Sequence, residues 1–187
     1  CSIAAVDRGS VLDTSMGLTP LMGLVMGTRC GDIDPGVIFY LLKQGMSGDQ
    51  IDNILNKESG LLGVGEIGSN DMRDILTARE DGHKQAERAF NMFVHRMVAY
   101  IGSYYTILQG ADAVVLTGGI GENSIPTRAE VLKKLAPLGC YFDETDNQRR
   151  GERITLSTPE STLKALVVPT NEELMIGRET RRLLAKG

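Results

Sequence analysis

The sequence predicts an α/β fold, and three observations carry that reading. Short β-prone runs open the chain, its longest helical pattern fills the middle, and strands and helices alternate beyond that point. Residues 2–6 and 11–15 are the opening runs, and Asp7-Arg8-Gly9-Ser10 between them is a hairpin turn. A Gly/Met-rich stretch follows, "MGLTPLMGLVMGTRCGDIDPG", and we expect a third strand near this end of the chain. "PGVIFYLLKQG" has proline at the first helical position and Gly45 at the stop. "SGDQIDNILNKESG" repeats that grammar, with Ser47 as N-cap and Gly60 as the end. The glycine-spaced "GLLGVGEIGSN" leads into a short helix over 71–78.

The dominant helical signal covers 83–108. Phe90, Val94, Met97, Val98, Ile101, Tyr105 and Leu108 fall on one face at helical spacing. Met92, Ala99 and Tyr100 sit off that face, so the helix is expected to bury two sides, while Arg88, His95 and Arg96 occupy the remaining surface. Gly110 stops it. "ADAVVLTGG" reads as a buried strand, "TRAEVLKKLAPLG" as a helix, "ERITLS" and "KALVVPT" as two strands, and residues 171–185 as a last helix.

Composition excludes several functions. The chain has 187 residues with 20 basic against 24 acidic side chains, a net charge of -4, and no long basic cluster, which argues against general nucleic-acid binding. No apolar run approaches the ~18 residues of a membrane span. Cys1, Cys30 and Cys140 are odd in number and far apart, so they read as reduced thiols of a cytoplasmic protein. The opening "CSIAAVDRGS" has no initiator Met and no signal-peptide pattern; it reads as a fragment beginning in mid-strand.

Four stretches could carry chemistry. "MGTRCGDIDPG" sets Arg29 in a loop poor in apolar residues, where its guanidinium either receives an anion or pairs with Asp32 or Asp34. "SNDMRD" places Asp71 and Arg73 at a helix opening, where Asn70 or Asp71 serves as N-cap. "LTGGIGEN" is a glycine-rich strand exit without a P-loop lysine; alone it is a tight turn before a helix. "VVPTNEEL" ends another strand with Thr170 or Asn171 as cap and Glu172 and Glu173 in the first helical turn. A carboxylate there either serves the helix end or holds Mg²⁺ together with nucleotide phosphates.

In this order, "DTSMGLTPLMGLVMGTRCGDIDPG", "SNDMRD", "LTGGIGEN" and "VPTNEEL" resemble the C-terminal half of the acetate kinase family, over essentially the whole chain. The resemblance implies a ribonuclease H-like nucleotide-binding domain of the actin/Hsp70/sugar-kinase type, a mixed sheet with helices packed on it. It makes residues 1–187 the C-terminal nucleotide-binding and dimerisation domain of a two-domain kinase. It also implies reversible phosphorylation of acetate by ATP in the full-length protein, with Mg²⁺, or Mn²⁺ in its place, and a homodimer. By position, Arg29 would stabilise the transferring phosphoryl group. Asp71, Met72 and Arg73 would lie by the adenosine, and Gly119, Ile120, Gly121, Glu122 and Asn123 would line the nucleotide. Glu172 would be the metal ligand, ahead of Glu173. Cys30 stands where serine is commoner in the family, and the family's His-Leu-Gly-Asn-Gly phosphate loop would precede Cys1. The chain alone is therefore expected to be inactive. The rival readings are a propionate or butyrate kinase and an actin- or Hsp70-like nucleotide-binding module.

Overall fold

The computed structural model describes residues 1–185. The chain divides into two compact units, Cys1–Ala111 and the part from Asp112 onward.

The first unit opens with an antiparallel hairpin, β1 (Ala4–Asp7) and β2 (Ser10–Thr14). Arg8 and Gly9 both take the left-handed backbone that a two-residue turn between twisted strands requires. No third strand joins it among the described residues of this unit: residues 16–35 run as turns and loop. Their glycines and prolines keep the backbone out of a ladder. Helix α1 (Gly36–Lys43) follows Pro35 and stops at Gln44 and Gly45, with Met46 N–H returning to Leu41 O at 3.2 Å. Helix α2 (Gly48–Asn53) begins in a reciprocal capping box between Ser47 and Gln50 and continues as a π-helical turn, Ile54–Glu58.

The glycine-spaced stretch, assigned no element from sequence, forms α3 (Gly60–Gly65), so Gly60 opens a helix where it was expected to end one. Packing overrides propensity here, because Leu61 is buried and Gly65 is buried with the tip of the Ile75 side chain packed against it. Helix α4 (Met72–Glu80) is capped by Asp71, and α5 (Lys84–Ile107) by the His83 ring. Helices α3 and α4 both lie on α5. Phe90, Val94 and Ile101 are buried as the periodicity predicts, and Ala86, Ala89, Phe93 and Tyr104 extend the buried arc. Met92 and Ala99 are exposed.

The second unit holds a mixed three-stranded sheet in the order β3-β5-β4. Strand β3 (Ala113–Leu116) is parallel to β5 (Lys164–Val167), and β4 (Ile154–Thr155) is antiparallel to it. The parallel pair needs a crossover, and the intervening helices supply it. These are α6 (Gly118–Asn123), α7 (Ile125–Lys134) and the short α8 (Glu144–Asn147), of which only α7 was foreseen. Val131, Leu132, Leu135, Leu156 and Leu163 fill the core beside the sheet. Helix α9 (Glu172–Leu184) ends the described chain and buries none of its residues within this structure. Among the described residues no helix is long and apolar enough to cross a membrane.

Candidate functional site

The four motifs fold into two pairs, one in each unit. In the first, the Arg29 loop meets the start of α4: a side chain on Gly27 would begin 3.1 Å from the Asn70 carbonyl oxygen. The backbone around Arg29 is held on both flanks. Thr28 Oγ1 donates to Asn56 O at 2.8 Å and Cys30 N–H to Leu55 O at 3.0 Å, both carbonyls of the π-helical turn. Ser59 N–H donates to Thr28 O at 3.0 Å, and Met26 N–H to Arg29 O at 3.1 Å. Gly31 has φ +70°, and a Cβ there would lie 2.5 Å from both Gly23 O and Leu24 O, so glycine alone closes this loop.

The Arg29 side chain is half-buried and makes no hydrogen bond or ion pair among the described residues. Both carboxylates offered by sequence as its partners are engaged elsewhere. Asp32 takes Gly23 N–H, the Tyr100 hydroxyl and Arg96. Asp34 Oδ1 accepts from Gly36 N–H at 2.8 Å. The arginine is thus a rigidly mounted, unneutralised cation. Cys30 beside it is half-buried, its thiol donates to Gly31 O, and burial pushes its pKa up, so the group is no ready nucleophile.

At the mouth of α4, Asp71 Oδ1 accepts from Arg73 N–H at 2.8 Å, and the two side chains form a bidentate pair. The Arg73 guanidinium, then its backbone N–H, hold the Asp71 carboxyl down at about 2. Asp71 therefore settles the choice of N-cap. Met72 is buried, which leaves its backbone rather than its side chain within reach of a ligand.

In the second unit, the exits of β3 and β5 are tied together. Glu122 Oε1 accepts from Gly118 N–H at 2.9 Å, Thr170 N–H at 2.9 Å and Thr170 Oγ1 at 3.1 Å. Thr117 and Thr170 share a further 2.6 Å hydroxyl contact. The Thr170 N–H, foremost among these donors, lowers the Glu122 pKa. Glu122 is thus a fastener between the two strand ends. Gly118 needs its left-handed φ of +70°, and nothing lies within 4 Å of where side chains on Gly118 and Gly119 would stand. The turn offers open, bare backbone at the start of α6.

Asn171 caps α9 by accepting from Leu174 N–H at 3.0 Å, which leaves Glu172 and Glu173 exposed with no partner among the described residues. No cluster of three metal-ligating side chains occurs among the described residues. A magnesium ion that takes most of its ligands from water and phosphate needs only one such carboxylate, and Glu172 fits that role.

One residue of this region escaped the sequence reading. Arg128 is 1% exposed on α7. Its Nε donates to Asn147 Oδ1, Nη1 to Gly121 O and Glu122 O, and Nη2 to Asn147 O and Arg149 O. All five N–H groups are matched, and two of them hold the carbonyls that end the glycine turn. The signal was present, because Arg128 shares helical spacing with Val131, Leu132 and Leu135, an apolar face on which a charge needs a reason.

The acetokinase family model matches residues 1–178. The chain belongs to the acetokinase family. It is 49% identical over 186 residues to the acetate kinase of Clostridium novyi (strain NT), covering 99% of this chain and 46% of that protein. It is 52% identical over 184 residues to the acetate kinase of Desulforamulus reducens, covering 98% and 46%. Among solved structures it superposes on the acetate kinase of Porphyromonas gingivalis with a TM-score of 0.93 at 42% identity, over 98% of this chain and 46% of that one. The propionate kinase of Francisella tularensis subsp. tularensis SCHU S4 gives 0.88 at 45% identity, over 94% and 45%. The chain thus spans about half the length of these acetokinase relatives, with their mixed α/β architecture.

Proposed function

We propose that this chain is the nucleotide-binding half of an ATP:acetate phosphotransferase, built on the actin/Hsp70/sugar-kinase type of ribonuclease H-like fold and working in the cytoplasm. In the full-length protein a carboxylate oxygen of acetate attacks the γ-phosphorus of ATP, the bond to the β,γ-bridging oxygen breaks, and acetyl phosphate and ADP leave. The observation that carries this reading is Arg29, an unpaired guanidinium on a loop whose backbone is held on both sides. Such a group needs no reorganisation to meet negative charge that grows on the phosphoryl oxygens in flight. Gly119 offers the nucleotide bare backbone; Ile120 and Gly121 continue the turn that would line it, Asn123 donates its amide to Gly119 O at 3.0 Å, and Glu122 holds the turn in shape. Asp71 and Arg73 supply a polar, pre-paired helix mouth toward the adenosine. Glu172 would hold Mg²⁺, whose charge offsets that of the phosphates when bound. The chain spans about half the length of its relatives, and we expect it to be inactive alone.

Arg29→Ala in the full-length enzyme tests the reading. We expect kcat to fall about 10²–10³-fold with nucleotide KM little changed, since a contact made in the transition state affects kcat and kcat/KM alike. Lysine should not rescue a forked contact. Near-normal acetyl phosphate formation by Arg29→Lys, trapped as hydroxamate, would refute it. A second reading, propionate as acyl acceptor, is favoured by the match to the Francisella propionate kinase; comparison of kcat/KM for the two acids separates them.

We further propose a homodimer joined through this half. Its support is α1, where Val37, Ile38, Phe39, Tyr40 and Leu42 are all exposed and no residue is buried. Helix α5, expected from sequence to bury two sides, keeps Arg88, His95 and Ala99 outward, but Arg96 turns onto Asp32.

A further inference from the structure

We infer that Tyr100 and Arg96 of α5 are positioning residues for phosphoryl transfer, acting through Asp32 to hold the loop that presents Arg29. The inference rests on the proposed role of Arg29 and deepens it.

Residues 23 to 32 form a closed loop. Asp32 N–H donates to Gly23 O at 3.0 Å, and Gly23 N–H returns to Asp32 Oδ1 at 2.8 Å, so one residue seals both strands of the neck. The other carboxylate oxygen faces α5. Tyr100 Oη donates to Asp32 Oδ2 at 2.7 Å, and Arg96 Nη1 lies 3.7 Å from the same oxygen. Arg96 Nη2 also donates to the Asp32 carbonyl at 3.3 Å. Asp32 is therefore a joint: one oxygen closes the loop, and the other fastens the closed loop to a 24-residue helix.

That helix is a stiff mount. Tyr100 packs edge-to-face on the buried Tyr104, with ring centroids 5.6 Å apart. Burial first, then the bond to Asp32, pushes the Tyr100 pKa up to about 12, so the hydroxyl remains a donor. Behind the loop is a cavity of about 430 Å³, lined by Val25, Cys30, Asp32, Gly60, Met92 and Arg96. Asp32 thus borders an open cleft on this side, and Tyr100 and Arg96 are what hold its carboxylate there. Arg29 shares no hydrogen bond or ion pair with Tyr100 or Arg96, so their effect on the reaction passes through the backbone from residue 32 to residue 29. Displacement of a catalytic group by about 1 Å can cost on the order of 10²-fold in rate.

The test is a double-mutant cycle in the full-length enzyme. Tyr100→Phe removes a single oxygen and leaves the ring packing intact. We expect kcat to fall about 10-fold, part of the cost of a 1 Å misplacement, with nucleotide KM unchanged. Arg96→Met should act in the same direction, and Asp32→Ala should cost more than either. In an Arg29→Ala background Tyr100→Phe should have no further effect on kcat, because the group it positions is gone. A purely structural tie would lower the melting temperature and leave kcat of the folded enzyme alone. Normal kcat in Tyr100→Phe, or losses that multiply in the double variant, would overturn the inference while leaving Arg29's own role standing. A harmless Arg29→Ala would instead remove the reading beneath it.

Discussion

Replacing Arg128 should be the most destabilising single change in the second unit. Its side chain is 1% exposed and matches five N–H donors to five oxygens, without an acid among them. Arg128→Ala orphans those oxygens. Three of the bonds lie partly within reach of solvent, so water can replace the donor at Gly121 O, Glu122 O and Arg149 O. The two acceptors on Asn147 are buried. Each unsatisfied buried group costs about 1–3 kcal/mol, and loss of the aliphatic stem adds about 2 kcal/mol at ~0.8 kcal/mol per methylene. Burial already disfavours the charged guanidinium and lowers its pKa, so losing the charge returns part of this. The net expectation is a loss of about 3–5 kcal/mol for alanine and about 1–3 kcal/mol for Arg128→Met, which keeps most of the stem. Urea unfolding of the full-length protein measures the loss, and hydrogen exchange at the amides of 118–123 localises it. A change below about 1 kcal/mol for alanine, the low end for one unsatisfied buried group, with unchanged exchange in α6, would refute the argument.

Asp71 is held down by pairing with Arg73, so its folded pKa lies below the unfolded value. Its contribution is present above about pH 4 and is lost as pH falls through about 2, and a carboxyl carbon titration by NMR should place its midpoint there. Glu122→Ala should release the two strand exits from each other and raise nucleotide KM more than it lowers kcat; an unchanged KM would mean the turn keeps its shape without the fastener. Phe39→Glu on α1 should convert the dimer to monomer in light scattering at micromolar concentration, and an intact dimer would move the contact off this helix.

Much of the fold was legible because local signals and packing agree. The hairpin, the Ser47 N-cap, the end of α1 and the bounds of α5 all follow from residues that satisfy their own backbone, whereas Gly60, expected to end a helix, begins one. The failures share a cause. Helices α3 and α6 are glycine-rich and have poor propensity, and both form because neighbouring elements hold them: Leu61 and Gly65 against α4 and α5, and Arg128 and Glu122 around the turn. The expected third strand failed in the opposite sense. Its stretch is apolar enough, with Leu24, Val25 and Met26 buried, but Gly23 and Gly31 turn the chain back on itself before a ladder can form.

At the candidate site, sequence offers candidate residues but not their condition. Motif spacing alone left Arg29 equally able to pair with Asp32 or Asp34, and only the fold decides, because Tyr100 and Arg96 arrive from 64 or more positions away to claim Asp32. The same logic separates Glu122 from Glu172. Both are acids at strand exits, yet Glu122 spends one oxygen on three donors, whereas Asn171 takes over the capping that would have occupied Glu172. A charged group kept without a partner gains nothing for the fold, while its engaged neighbour stabilises the backbone around it. Arg29, Glu172 and Glu173 therefore keep their interactions free, which is what the proposed roles of Arg29 toward a phosphoryl group and Glu172 toward a cation require. Asp32, Glu122 and Arg128 have already given theirs to the loops that hold the two sites in shape.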